Sequence, residues 1–342
     1  MLTETASLPR QPPPRMRPGS SQLSTISPGE HRLVPVDCGA PRARASSGIG
    51  FEVRLLFCGT RGSTPAPGRA HLRYGGHTSC IAIGRGAGPP ALLLDGGTGL
   101  AQLDEHLAGE PFAGSILLSH LHWDHTHGLP FFGSGAAPGH RVEVFIPEQG
   151  DDAEAVLARA FSPPHFPIEP QQLGNGWRFR MLPEGERDIE GYSVLALEIP
   201  HKGGRTFGFR VSDETTSLAY LPDHHPLALG PGPIGIGELH PNALALARDV
   251  DLLIHDAQYL VEELPELAPM GHSCGEYAVS LAEAAGAREV CLYHHAPRRT
   301  DDALDELAGR FTESAVPTRM AFDGLVLTLA DADRAGVTSA GH

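Results

Sequence analysis

His120-Leu121-His122-Trp123-Asp124-His125 packs four potential metal ligands into six residues, directly after the apolar run Ser115-Ile116-Leu117-Leu118-Ser119. A buried strand feeding such a cluster must end in a sharp turn, because on a continuing strand alternate side chains point to opposite faces. At a turn the imidazoles and the carboxylate can converge on a point. Three His and one Asp form the nitrogen and oxygen donor set that suits zinc and its first-row neighbours. The spacing is too tight for one tetrahedral ion to take all four, so two adjacent ions are the natural reading. A solvated run of loop histidines is the bland alternative.

With 342 residues, 41% of them hydrophobic, the chain can bury a substantial core. Its five Cys (38, 58, 80, 274 and 291) are odd in number and widely spaced, and no Cys-x-x-Cys pair occurs. That disfavours a disulfide framework or a thiolate zinc site, and reduced thiols fit a cytoplasmic location. No stretch approaches the roughly 18 consecutive apolar residues that span a bilayer, and the first residues lack the apolar core of a secretory signal. Residues 1–50 are rich in Pro, Ser and Arg and are expected to form a disordered extension. They carry six Arg against Glu4, Glu30 and Asp37, so the formal charge of −15 is concentrated in the remainder. An acidic body repels polyanions, which argues against a long nucleic acid and for a small substrate. A homodimer is compatible with this composition.

From residue 51 short strands and helices alternate. Strands are expected at 51–57, 81–83, 91–94, 116–118, 141–146, 177–181, 193–199, 206–211, 217–220, 252–254, 290–293 and 319–329. Helices are expected at 99–107, 242–247, 275–285 (with Ser273 as a candidate N-cap) and 302–311, and 226–237 reads as a loop. No short repeat is evident, so 51–330 is taken as one layered α/β domain and 331–342 as a flexible tail. Further polar candidates stand at strand exits, where a rigid scaffold presents loops: His201, Asp223, His272 ahead of a helix, and His294 with His295. Each is weak alone; their recurrence beside the six-residue cluster is not.

Taken together these motifs resemble the metallo-β-lactamase-fold hydrolases, and within them the phosphodiesterase branch that includes ribonuclease Z. The resemblance runs from about Phe51 to Thr328. It is carried by Phe57-Cys58-Gly59-Thr60-Arg61-Gly62-Ser63-Thr64-Pro65, Arg73-Tyr74-Gly75-Gly76-His77-Thr78-Ser79-Cys80, Leu93-Leu94-Asp95-Gly96-Gly97 and the His120–His125 cluster. Tyr220-Leu221-Pro222-Asp223, Ile254-His255-Asp256-Ala257, Gly271-His272-Ser273 and Leu292-Tyr293-His294 follow in the expected order.

The resemblance implies a four-layer αβ/βα sandwich with two divalent ions. It puts His120, His122 and His201 on one ion, Asp124, His125 and His294 on the other, and Asp223 between them. Zinc is the default for such ligands, with manganese or iron compatible. A metal-bridging hydroxide would attack phosphorus, and His272 would protonate the leaving oxygen. Asp95 matches a position that orients histidine ligands, and Asp256 a similar supporting one. His294 is preferred to His295 by motif alignment alone.

Lys202 and Arg205 flank His201 and are candidates for a phosphate oxygen, or for solvated charge. Tyr74 and His77 are candidates for the mouth of the site; His127, His224 and His295 adjoin ligands and are candidate supports or substitutes. Cys274 reads as a small packing residue. The segment Phe161–Ile168, with two Phe and three Pro, reads as a stiff lid or a plain loop. No basic arm of the kind that clasps transfer RNA is evident. The expected function is therefore hydrolysis of a small phosphodiester, such as a cyclic nucleotide. The rivals are a lactone, thioester or β-lactam hydrolase, an RNA nuclease, and a metal-bound sensor without turnover.

Overall fold

Strand β1 (Val53–Gly59) shows how the sequence sets the layers. Leu55 and Phe57 enter one buried cluster and the alternate residues Leu56 and Cys58 another, as the two-residue period of a strand buried on both faces requires. The same split recurs on β2 (Cys80–Arg85) and β3 (Leu92–Leu94), whose Ile81, Ile83, Leu92 and Leu94 face one way and whose Ala82 and Leu93 face the other. The computed structural model describes residues 52–330; the extension at 1–50 and the tail at 331–342 lie outside the described residues.

One sheet has the order β14-β1-β2-β3-β4-β5-β6, with β4 (Ala113–Leu117), β5 (Arg141–Pro147), β6 (Trp177–Leu182) and β14 (Val326–Leu329). The other has the order β13-β12-β11-β10-β9-β8-β7. It comprises β7 (Gly185–Ile189), β8 (Tyr192–Ile199), β9 (Thr206–Ser212), β10 (Ser217–Leu221), β11 (Leu252–Asp256), β12 (Val290–Tyr293) and β13 (Thr318–Met320). The helices are α1 (Leu100–Leu107), α2 (Trp123–Thr126), α3 (Ala153–Ala158), α4 (Pro241–Ala247), α5 (Leu264–Leu267), α6 (Gly275–Ala285) and α7 (Asp301–Gly309).

The central core joins inner faces of both sheets, including Phe57, Leu94 and Leu117 from one and Phe207, Phe209, Tyr220 and Ile254 from the other. Leu100, Leu103 and Leu107 of α1 cover the outside of the first sheet. Ala243 and Leu246 of α4, Tyr277 and Leu281 of α6, and Leu304 of α7 cover the second. The four-layer sandwich expected from the sequence is the observed architecture. Each large apolar side chain removed from water contributes about 1.5–3 kcal/mol.

Strands β3 to β6 run parallel, as do β10 to β13. Strand β8 shares the direction of β10, since β9 pairs antiparallel with both. The carboxyl ends of β4, β8, β10, β11 and β12 therefore supply one edge of the sandwich, the edge where α/β sheets build their sites.

Some expectations need correcting. The strand expected over 319–329 is two strands in different sheets. Between them Gly324 takes φ +88, and Asp323 accepts hydrogen bonds from Thr60 Oγ1 (3.0 Å) and the His77 N–H (3.0 Å), which carries the chain from one sheet to the other. Cys274, not Ser273, is the N-cap of α6, and the buried Ser273 hydroxyl makes no capping bond. Helix α7 starts at Asp301, one residue early, capped by the Thr300 hydroxyl. Strand β7 and helix α3 were not anticipated; Glu186, Arg187 and Asp188 in β7 are too polar to read as a strand. Among the described residues no helix is long and apolar enough to cross a membrane, and Cys58, Cys80, Cys274 and Cys291 are free thiols.

Candidate metal centre

Strand β4 releases its chain at Ser119, which is anchored to Asp95 twice: its N–H reaches Oδ1 at 2.6 Å and its hydroxyl Oδ2 at 2.9 Å. The chain then breaks into the single turn α2, which turns Asp124 and His125 inward and leaves Trp123 outward. Asp223 arrives beyond β10, His201 beyond β8 and His294 beyond β12. Three non-glycine residues with left-handed backbone sit here, Ser63 (φ 60), Asp95 (φ 61) and His294 (φ 58). Such conformations persist where surrounding structure holds them, often at sites. Gly62 allows the approach of His294, whose Nδ1 would lie 2.4 Å from a Cβ there.

Asp223 divides the cluster. Its Oδ2 lies 3.3 Å from His201 Nε2 and 3.7 Å from His120 Nε2. Its Oδ1 lies 3.0 Å from His125 Nε2 and 3.2 Å from His294 Nε2. Around the first oxygen gather His120, His122 and His201, with His122 Nδ1 3.3 Å from His201 Nε2. Around the second gather Asp124, His125 and His294, with Asp124 Oδ2 3.3 Å from His125 Nε2 and 3.1 Å from His294 Nε2. The structure brings all seven proposed ligands together.

The donor chemistry fits divalent cations. His201 Nδ1 donates to the Gly271 carbonyl at 2.7 Å, and His125 Nδ1 to Asp95 Oδ2 at 2.7 Å. The Nε2 atoms of both rings therefore present lone pairs inward. Lone pairs facing carboxylate oxygens repel unless positive charge lies between them. His120 Nε2, His125 Nε2 and Asp223 Oδ1 are buried without a hydrogen-bond partner, a costly state that a cation would relieve.

The titration behaviour agrees. Burial opposes ionisation of Asp124, yet His125 and His294 hold its carboxyl well below the usual range. Asp223 is likewise held down by its four histidines against the cost of burial. Burial pushes His120, His122 and His201 down, toward the neutral form a ligand needs. His125 goes the other way: burial is outweighed by Asp124, Asp95 and Asp223, and its pKa is pushed well up. Those carboxylates demand a positive charge, which a proton or a cation can supply.

His272 stands beside the cluster with Nδ1 3.1 Å from Asp256 Oδ2 and 3.5 Å from Asp223 Oδ2. Burial lowers its pKa, but Asp256, Asp223 and Asp124 together outweigh burial and raise it to about 9. Asp256 Oδ2 is itself fixed by the Ser273 and His224 N–H groups, and its Oδ1 by the Gln258 N–H.

The minor candidates separate clearly. His77 lines a cavity of about 430 Å³ beside Asp124, shared with Ser63, Trp123, His127 and Phe131. Tyr74 is not among its lining residues; its hydroxyl is committed to Asp305 at 2.9 Å, which ties the loop to α7. Arg205 is not available to a phosphate either, because Glu198 (2.8 Å) and Glu184 (3.3 Å) hold its guanidinium. Lys202 is exposed. His224 turns toward His255 (3.0 Å), and His295 gives Nε2 to the Ala321 carbonyl (2.9 Å), so neither joins the cluster. Burial pushes the Cys274 thiol up to about 12, in keeping with a packing role. The segment expected as a lid is anchored: Phe161 is buried, and Phe166 packs between Phe161 and Phe131.

Four contributors went unassigned in the sequence. The Ser63 N–H donates to Asp124 Oδ2 at 2.6 Å, Ser119 lies 3.0 Å from His120 Nδ1, Tyr220 donates to Asp95 Oδ2 at 2.7 Å, and the Gly271 carbonyl orients His201. Only Tyr220 carried a signal, since a Tyr inside an apolar strand needs a partner for its hydroxyl.

Two stacked mixed sheets with a His/Asp cluster at their strand ends define the class of metallo-β-lactamase-fold hydrolases. The chain belongs to the β-lactamase superfamily: the family profile described as "Beta-lactamase superfamily domain" matches residues 91–295, a span that includes all seven clustered residues. Among named relatives, ribonuclease Z of Halorubrum lacusprofundi is 26% identical over 329 residues, covering 83% of this chain and 96% of its own. The metallo-beta-lactamase fold protein YhfI from Bacillus subtilis superposes with a TM-score of 0.61 at 17% identity, covering 82% of this chain and 100% of its own. A diphosphatase from the PhnP family does so with a TM-score of 0.59 at 17% identity, covering 81% and 98%.

Proposed function

We propose that this hydrolase cleaves a small phosphodiester at a pair of divalent ions. His120, His122 and His201 would hold one ion and Asp124, His125 and His294 the other, with one oxygen of Asp223 directed to each. Zinc is the default for this donor set, and manganese and iron suit it too. Bound there, the ions would supply Lewis acidity toward phosphoryl oxygens and an acidified water.

The observation that carries the reading is the placement of His272, whose Nδ1 lies 3.1 Å from Asp256 and 3.5 Å from the shared carboxylate of Asp223. A phosphodiester releases an alkoxide, which needs a proton as the bond to phosphorus breaks. His272 would supply that proton, with Asp256 keeping the ring in position. Asp95 fixes His125 by holding its Nδ1 proton, so that Nε2 faces the reacting centre. A relative named ribonuclease Z favours phosphate-ester over carbonyl chemistry. A cavity of about 430 Å³ suits a small molecule, and a formal charge of −15 works against a long polyanion.

The same relative's name favours RNA cleavage as a second reading. Metal-loaded protein offered bis-(p-nitrophenyl) phosphate, cyclic nucleotides, a precursor transfer RNA, nitrocefin and a thioester separates the cases. Turnover of the small phosphodiesters is expected. Preference for the RNA supports the second reading, and turnover confined to nitrocefin or the thioester defeats both.

A further inference from the structure

We propose that the cavity beside Asp124 is a stacking site for a planar aromatic ring, of nucleobase size, carried on the substrate's phosphate ester. The inference rests on the phosphodiester reading and adds the part of the substrate that does not react.

Its wall is a run of rings at four-residue spacing. Trp123 and His127 lie near parallel, with centroids 6.4 Å apart and planes at 27°. His127 meets Phe131 edge-on at 6.4 Å. Phe131 in turn rests against Phe166 at 5.6 Å, and Phe166 against the buried Phe161 at 6.0 Å. The run is thus rooted in the core at one end and open at the other. Trp123 is 70% exposed and Phe131 65% exposed. Leaving two such large aromatic surfaces in water forgoes several kcal/mol of burial that a ligand could recover.

The backbone beneath the wall is close-packed. Gly128 lies under it against Gly97, so close that an added Cβ would stand 2.0 Å from the Gly97 carbonyl oxygen.

The lining chemistry selects the occupant. No Lys or Arg lines the cavity, and Asp124 is its one carboxylate, so a second phosphate would find no counter-charge. What it offers is aromatic faces, the exposed hydroxyl of Thr64, and the rings of His77 and His127, the hydroxyls of Thr78 and Thr98 being paired with each other. A neutral flat ring with polar edges matches that set: faces stack, and edges meet the hydroxyl and imidazole groups. Asp124 belongs both to the cavity and to the proposed ligand set, so a ring seated here stays within one ester linkage of the reacting phosphorus.

The test compares AMP with ribose 5-phosphate on the metal-loaded full chain, by calorimetry and by quenching of Trp123 fluorescence. Both probes carry the phosphate, and only AMP carries the ring. AMP should bind about 5- to 150-fold tighter, the range one base stacked on aromatic side chains commands. In the double variant Trp123→Ala, Phe131→Ala the two affinities should converge, with ribose 5-phosphate affinity and metal content unchanged. Equal affinity in the parent chain, no binding of AMP, or a preference that survives the double substitution would overturn the assignment. Turnover of bis-(p-nitrophenyl) phosphate reports the underlying reaction separately. Ring preference without turnover supports the stacking site and sinks the reaction; turnover without ring preference does the reverse.

Discussion

Replacing Asp95 with Asn isolates the orienting role of one carboxylate. Asp95 is fully buried, and its Oδ2 accepts from His125 Nδ1 (2.7 Å), the Tyr220 hydroxyl (2.7 Å) and the Ser119 hydroxyl (2.9 Å), while Oδ1 accepts the Ser119 N–H (2.6 Å). Asn has the same shape and tolerates the left-handed backbone at this position (φ 61) as well as Asp does. The backbone is therefore left alone. An amide has one oxygen, and if it keeps the Ser119 N–H, the NH2 group confronts three donors. The hydroxyls of Tyr220 and Ser119 can rotate and accept. His125 can adapt only by moving its proton to Nε2, the atom aimed at Asp124 and Asp223, and so losing its inward lone pair. Loss of such an orienting partner costs about 10–100-fold in metal affinity, or about 1.4–2.7 kcal/mol. Imperfect satisfaction of the remaining donors adds about 1–3 kcal/mol of lost fold stability. Competition against a chromophoric chelator measures the first quantity, and thermal melts of the metal-free protein the second. Tyr220→Phe, which removes one donor and leaves the carboxylate, should keep metal affinity within a few-fold of the parent. An Asp95→Asn protein that binds metal as tightly as the parent would refute the reasoning, as would an equal loss in Tyr220→Phe.

Four further outcomes follow from the geometry. His294→Ala should lower bound metal by about one ion per chain, as loss of one of four donors around that position implies. His295→Ala should keep its metal and lose about 1–3 kcal/mol of stability with the bond to Ala321; metal analysis and urea melts distinguish the two. His272→Gln should lower kcat on a small phosphodiester by about 10²–10⁴-fold with metal content unchanged, and retention of activity would remove His272 from the reaction. Arg61, buried with bonds to the Gly75, Ala296 and Arg299 carbonyls and 3.6 Å from Asp301, holds three loops together. Arg61→Met should cost about 3–5 kcal/mol, because the Gly75, Ala296 and Arg299 carbonyls lose their donor and the buried Asp301, still held by the Arg73 and Tyr74 N–H groups, loses its countercharge, measurable by denaturant unfolding.

The early cluster and the layered α/β alternation were legible because both rest on local pattern, while the four-layer sandwich was implied by the resemblance. Strands buried on both faces read as apolar runs, and four ligands in six residues read as metal chemistry without a partner in view. The later members of the cluster at strand exits were legible as a set, since His201, Asp223 and His294 each follow an apolar run. The choice between His294 and His295 was not, because adjacent histidines differ only in which way a single left-handed residue turns the chain. Arg205, read as a phosphate contact or a solvated charge, is instead paired with Glu184 just before β7 and Glu198 within β8, neighbours set by the fold rather than by local sequence. Strand β7 escaped notice because an edge strand need bury little, and the crossing at Asp323-Gly324 because the apolar pattern continues across it. Ser63 and Gly271 act through backbone atoms, which a side-chain reading does not reveal.

The central claim is that seven side chains divide into two donor groups sharing Asp223. It is tested most directly by counting zinc or manganese bound to the full chain after loading and removal of excess, in the parent and in the variants His201→Ala and His294→Ala. The account predicts two ions per chain in the parent and about one in each variant, each having lost a different site. No bound ion in the parent, or two ions undiminished by either substitution, would contradict it.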